Sequence, residues 1–209
     1  MSVRVAGLYA ITPDVADTEV LCDKVEAALA GGAALVQYRN KTAPPPLRHE
    51  QASRLLELCG NHGVPLVVND DLTLALDIGA DGLHLGRDDG AVAEARARLG
   101  GGRILGVSCY DSLERGDKAV ALGADYIAFG SAYPSRVKPD AVRAGPDVFA
   151  AAHRRFSLPV VAIGGITLQN AGALIAAGVD AVAVISAVFE APDVREAAAS
   201  FTALFLRPV

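Results

Sequence analysis

Eight short apolar runs recur along this chain, separated by longer amphipathic, alanine-rich stretches. That alternation restricts the available folds more than any other feature. The runs are Val3–Thr12, Ala34–Arg39, Val64–Asp70, Gly82–Gly86, Ile104–Cys109, Tyr126–Ser131, Val160–Gly164 and Ala181–Ser186. Most are continuous in Val, Ile, Leu and Ala, as strands covered on both faces require. Segments between them, such as Thr18–Ala30, Leu47–Asn61, Leu113–Leu122 and Asn170–Ala177, read as helices. Eight strand–helix units in succession predict an α/β fold, a parallel (β/α)8 TIM barrel, as a single domain over residues 1–209. A length of 209 residues with 52% hydrophobic content is enough to bury such a core.

A weak internal repeat agrees with this. Gly79-Ala80-Asp81, Gly123-Ala124-Asp125 and Gly178-Val179-Asp180 each stand between a helix and a strand. Gly ends the helix in a left-handed turn, the small residue packs and Asp opens the strand. Such loops belong to the bottom of a barrel and serve stability, whereas catalysis belongs to the C-terminal strand ends. Pro44-Pro45-Pro46 reads as a stiff entry to the second helix.

Composition removes several functional classes. The balance of 19 Lys+Arg against 24 Asp+Glu leaves −5, without the basic footprint of a nucleic-acid binder. Aromatics make up 5% and Trp is absent, which argues against a base-stacking platform. The spacing of Cys22, Cys59 and Cys109 fits no zinc pattern, and their odd number fits no disulfide framework. Reduced thiols in a cytoplasmic protein are therefore expected. The first apolar run is short, lacks a following cleavage site and reads as a strand rather than a signal peptide. No window reaches the length of a membrane span.

Polar residues collect where the strands end. Gln37, Arg39 and Lys41 alternate at period two and share one face, with Val36 and Tyr38 on the other. Cations in a narrow mouth suit a polyanion such as diphosphate. Asn69 and Asp70 close the third strand, and Asp89 follows the fourth. Asp70 and Asp89 form a plausible pair for one Mg²⁺ shared with phosphate oxygens, while Asp71 and Asp88 or Asp89 serve equally as helix caps. His84 faces the barrel interior, where a satisfied core histidine is as good a reading as a functional one. Ser108 ends the fifth strand with no visible His–Asp partner to make it a nucleophile, and Cys109 reads as a packing residue. The basic, Pro-flanked stretch Gly130–Asp140, running on to Arg143-Ala144-Gly145, reads as a lid or binding loop in which Arg136 and Lys138 close over phosphate. Gly164-Gly165 and Ser186 follow the seventh and eighth strands, where this fold binds phosphate through backbone N–H groups.

Taken together, Gln37-x-Arg39-x-Lys41, Val68-Asn69-Asp70, His84-Leu85-Gly86 with Asp89, Gly106-Val107-Ser108, Tyr133-Pro134-Ser135-x-x-Lys138 and Ala162-Ile163-Gly164-Gly165-Ile166 resemble the thiamine-phosphate synthase family over nearly the whole chain. The resemblance implies a transferase that joins 4-amino-5-hydroxymethyl-2-methylpyrimidine diphosphate to a thiazole phosphate (or its carboxylated form), releasing diphosphate. It implies Mg²⁺ at Asp70 and Asp89. It implies pyrimidine-diphosphate contacts from Gln37, Arg39, Lys41, Asn69, Ser108 and Lys138, with Arg39, Lys41, Ser108 and Lys138 catalytic. Thiazole-phosphate contacts are implied for Ser135, Arg136, Val137, Gly165, Ile185 and Ser186. Arg87 in place of a common Gln, Val137 in place of a hydroxyl residue and Ser135 in place of Thr depart from the family pattern. A thiazole tautomerase relative lacks the Asn-Asp and downstream Asp set retained here, and a non-catalytic phosphate sensor would need no metal pair. The expected partners are two phosphorylated small molecules, with no nucleic acid and no membrane. A homo-oligomer is left open.

Overall fold

The computed structural model describes residues 5–86, 89–134 and 142–206, the first two residues of one helix (89 and 90) by backbone alone. Eight parallel strands close into a barrel in chain order: β1 (Gly7–Ile11), β2 (Leu35–Tyr38), β3 (Leu66–Asn69), β4 (Gly82–Leu85), β5 (Ile104–Tyr110), β6 (Tyr126–Phe129), β7 (Val160–Ile163) and β8 (Ala181–Val184). The predicted architecture is thus the observed one. The helices are α1 (Thr18–Ala30), α2 (Pro45–Asn61), α3 (Leu72–Asp77), α4 (Asp89–Leu99), α5 (Leu113–Ala121), α6 (Pro146–Arg155), α7 (Leu168–Ala176), the one-turn α8 (Ser186–Phe189) and α9 (Val194–Leu206). Among the described residues no helix is long and apolar enough to cross a membrane.

Local chemistry sets the boundaries. The Asp17 side chain accepts from the Val20 N–H to start α1, and Leu21, Val25, Ala28 and Leu29 form its buried stripe. The second helix begins at Pro45, two residues earlier than expected, because a proline in the first turn forfeits only an N–H that has no helical acceptor. Of the aspartates after β3, Asp71 caps α3 by accepting from the Leu74 N–H, which leaves Asp70 for other work.

Two apolar layers result. Between barrel and helices lie residues such as Leu21, Leu55, Phe149 and Phe201, with Cys59 and Cys109 fully buried among them. Burial pushes the Cys59 thiol up to about 12, so it is a packing group rather than a nucleophile. Inside the barrel, Tyr9, Val67, Tyr126 and Val161 fill the floor beneath the mouth.

The repeated loops do close the bottom face. Gly79, Gly123 and Gly178 adopt left-handed backbones (φ 72°, 84° and 90°), as the turn requires. The aspartates then act across strands: Asp81, Asp125 and Asp180 accept from the N–H groups of Leu66, Leu105 and Val160, each at 2.8 Å. Each thus ties the strand it precedes to the start of the previous strand, a role beyond merely opening a strand.

Candidate active site

The C-terminal strand ends enclose a cavity of about 910 Å³. That size suits small-molecule ligands. Gln37, Arg39, Lys41, Asn69, Asp70 and Ser108 all line it, and so do Gly165, Ile185 and Ser186 on the opposite side. Every sequence-predicted contact residue with a described side chain is therefore in one chamber. Ser135, Arg136, Val137 and Lys138 lie outside the described residues, as do Arg87 and the side chain of Asp89. The backbone of Asp89 opens α4, directly after β4.

The loop after β1 sets the end of β2. Thr12 Oγ1 accepts from the Arg39 N–H at 2.8 Å and donates to the Arg39 carbonyl at 3.0 Å. Asp14 accepts from the Lys41 N–H at 2.9 Å and lies 3.5 Å from the Arg39 guanidinium. Thr12 and Asp14 were not singled out from the sequence. Asn40 takes the other face, where its amide donates to Gln51 of α2 and to the Val15 carbonyl. This confirms the alternation that turns Gln37, Arg39 and Lys41 inward. A second cleft of about 580 Å³ adjoins the chamber and shares Arg39, Lys41, Asn69 and Asp70 with it.

Asp70 has a left-handed backbone (φ 60°), uncommon outside glycine but most accessible to Asn and Asp. Asn69 donates to its Oδ2 at 2.8 Å, and among the described residues no cation pairs with it. Such a hard oxygen donor, held by an amide at a cavity wall, fits Mg²⁺ that takes one or two protein carboxylates and fills its shell with phosphate and water. Tyr110 also adopts a positive φ (57°), where the register of β5 against β6 slips after Ser108. A Cβ on Gly86 would stand 3.7 Å from Asp70 Oδ1 and 3.9 Å from the Tyr110 hydroxyl, so the three strand ends converge. Tyr110 went unread because the fifth run appeared to stop at Cys109. Continued alternation would have put it on the face of Ser108.

The fold gives Ser108 a neighbour that the sequence does not show, without the His–Asp pair that a nucleophile would need. That neighbour is a histidine: His84 Nε2 lies 2.9 Å from Ser108 Oγ, and Tyr126 OH lies 2.8 Å from His84 Nδ1. The pairing arises from tertiary register, in which His84 stands opposite Gly106 and Gly106 opposite Tyr126. Both phenols in the floor, Tyr9 and Tyr126, are held well above the ordinary phenol pKa by burial, so they remain O–H donors.

Gly164 and Gly165 have φ of 101° and 61°. A Cβ on Gly165 would come within 2.3 Å of the Pro134 carbonyl oxygen, and one on Gly164 within 2.2 Å of Ser131 Oγ. The pair therefore answers first to close packing of the β6 and β7 loops. The Tyr133 N–H donates to the Gly164 carbonyl at 3.0 Å, which locks the two loops together.

A family profile described as thiamine monophosphate synthase matches residues 8–188. The thiamine-phosphate synthase of Thiobacillus denitrificans is 57% identical over 199 residues, covering 95% of this chain and 94% of its own. That of an Azoarcus species is 52% identical over 205 residues, covering 98% and 100%. The solved thiamine phosphate pyrophosphorylase from Pyrococcus furiosus superposes with a TM-score of 0.85 at 35% identity, covering 96% of each chain.

Proposed function

The chain belongs to the thiamine monophosphate synthase family and is a transferase of thiamine biosynthesis, and on that premise we propose how its barrel mouth divides the work. One half of the mouth holds 4-amino-5-hydroxymethyl-2-methylpyrimidine diphosphate. The other half, around Gly165, Ile185 and Ser186, holds the thiazole phosphate. The observation that carries this reading is the gathering of Gln37, Arg39, Lys41, Asn69, Asp70 and Ser108 on one side of a single chamber.

The thiazole nitrogen supplies the electron pair for the new C–N bond to the pyrimidine methylene carbon. The C–O bond to diphosphate breaks, and the leaving group departs with its electron pair. No side-chain nucleophile is required. Arg39 and Lys41 neutralise charge that grows on the leaving oxygens, an interaction stronger in the transition state than in the bound substrate. Asp14 holds the Lys41 backbone and faces the Arg39 guanidinium, so the end of β2 and the Arg39 charge are set before substrate arrives. Gly165 and Ser186 fix the acceptor phosphate, so the nitrogen is presented to the carbon at close range. Asp70 and Asp89 would hold Mg²⁺, which supplies further neutralisation of the diphosphate. We place the reaction in the cytoplasm, in keeping with three cysteines that form no disulfide.

Steady-state kinetics with each substrate varied in turn test the division. Arg39→Ala should lower kcat strongly. Ser186→Ala should raise KM for the thiazole phosphate more than for the pyrimidine diphosphate. The reverse pattern would exchange the two halves.

A further inference from the structure

Beneath the mouth, a buried chain of polar groups runs across the barrel. Gln37 Nε2 donates to Tyr9 OH at 2.6 Å, Tyr9 OH meets Tyr126 OH at 2.7 Å, Tyr126 OH meets His84 Nδ1 at 2.8 Å, and His84 Nε2 meets Ser108 Oγ at 2.9 Å. Tyr9 and Tyr126 are 1% and 0% exposed. Glycine makes room for the crossing: a Cβ on Gly106 would lie 2.0 Å from Tyr126 Cζ. Across that gap the Tyr126 ring stacks on His84, with centroids 5.6 Å apart, and Tyr9 meets Tyr126 edge-on.

Counting protons gives the chain a direction. Each phenol has one hydrogen to donate. The Tyr9 oxygen already accepts from Gln37, and Tyr126 is the acceptor within its reach. With Gln37 presenting its Nε2, donation from Tyr126 to Tyr9 would leave the Tyr9 hydrogen buried without an acceptor, which is costly; only a Gln37 amide turned to present Oε1 would run the chain the other way. Tyr9 therefore donates to Tyr126, and Tyr126 donates to His84 Nδ1. A histidine that accepts at Nδ1 carries its proton on Nε2 and donates it to Ser108. The serine oxygen is then an acceptor toward His84, and its own hydrogen is left for the chamber. This polarity is opposite to that of a hydrolase, where the imidazole accepts from the serine and makes it a nucleophile.

We propose that Gln37, Tyr9, Tyr126 and His84 form a one-way hydrogen-bond chain that fixes the Nε2–H tautomer of His84 and aims the Ser108 hydroxyl hydrogen at an acceptor atom of the pyrimidine diphosphate. Tyr126 and His84 are positioning residues in this arrangement. The proposal rests on the reading of Ser108 as a substrate contact.

The test uses the full chain labelled with ¹⁵N-histidine and free of ligand. Long-range ¹H–¹⁵N correlations distinguish a donor from an acceptor nitrogen in each of the four histidines, and His84→Asn assigns the signal. The expected result is a neutral His84 protonated on Nε2. Tyr126→Phe should move the proton toward Nδ1 and lower kcat by about 10- to 100-fold, with KM for the pyrimidine diphosphate changed much less. Tyr9→Phe, which leaves the Tyr126 hydroxyl on His84, should keep the tautomer and cost less. An Nδ1–H or charged His84 in the unaltered protein would overturn the proposal, as would wild-type kcat in Tyr126→Phe. If Tyr126→Phe does not fold, the wild-type tautomer and the Tyr9→Phe result decide it. Ser108→Ala separates the two readings: full turnover there removes Ser108 from the substrate site, whatever tautomer is found.

Discussion

At the bottom of the barrel, Asp81, Asp125 and Asp180 each accept a strand N–H at 2.8 Å, one solution used three times. At the mouth, Asp70 is the same residue type in the opposite circumstance. Its backbone is left-handed, its described side-chain partner is its own neighbour Asn69, and it lines the chamber. The bottom aspartates satisfy the fold's own donors. Asp70 accepts an unfavourable backbone conformation and leaves carboxylate capacity unused by the fold. Strain of this kind persists where surrounding structure imposes it, and it clusters at active sites and ligand clamps.

Breaking the mouth should remove activity without removing the fold. Asp70→Gly is the sharpest test. Glycine relieves the positive φ, so stability should hold or rise by up to about 1 kcal/mol. Turnover should nonetheless fall roughly a thousandfold, the scale of several kcal/mol of lost charge stabilisation. Thermal melting with kinetics on the same sample would show it, and a less stable but active variant would reverse the assignment. Arg39→Ala comes next, with a loss of about 2–4 kcal/mol in transition-state stabilisation, expressed in kcat.

Breaking the bottom should do the converse. Asp180→Ala strips the Val160 N–H of its acceptor and should destabilise by about 1–3 kcal/mol, lowering Tm by several degrees. The kcat of the folded fraction should not move, and a large drop would mean that the two faces are coupled. The smallest effect is expected at Thr202→Val. Its hydroxyl on α9 lies 3.1 Å from the Gly31 and Gly32 carbonyls, a contribution of about 1 kcal/mol by urea denaturation.

All eight strands were legible because apolar continuity is dictated by burial on both faces. Their ends were not, since an apolar run such as Val3–Thr12 outlasts the ladder, which the structure begins at Gly7. The inward trio Gln37, Arg39 and Lys41 was legible from period two alone. The His84–Ser108 pair, 24 residues apart, depends on the β4–β5 register, which no local pattern encodes. The sequence reads Gly165 as part of a phosphate loop, whereas its contact with the Pro134 carbonyl depends on how two loops fold together. A bulky residue there would disturb the loop before it reached any ligand. Asp14 was missed because nothing in a loop sequence distinguishes an aspartate that holds a neighbouring strand end from a solvated one.

The aspartate ties also partition the polypeptide. They join β3 to β4, β5 to β6 and β7 to β8. Before β2 stand Gly31 and Gly32 with no aspartate, and the single Thr202 hydroxyl of the last helix lies 3.1 Å from each of their carbonyls and 3.0 Å from that of Ala198 in its own helix. The chain is thus stitched as three two-strand modules and a fourth that is completed by the C-terminal helix. A circular permutant opened at Gly63 or Gly101, between modules, keeps every stitched pair covalently continuous, whereas one opened at Gly79 or Gly123 parts a pair. Among the loops that enter the even-numbered strands, the one before β2 alone lacks the aspartate, so the repeat is two strands long.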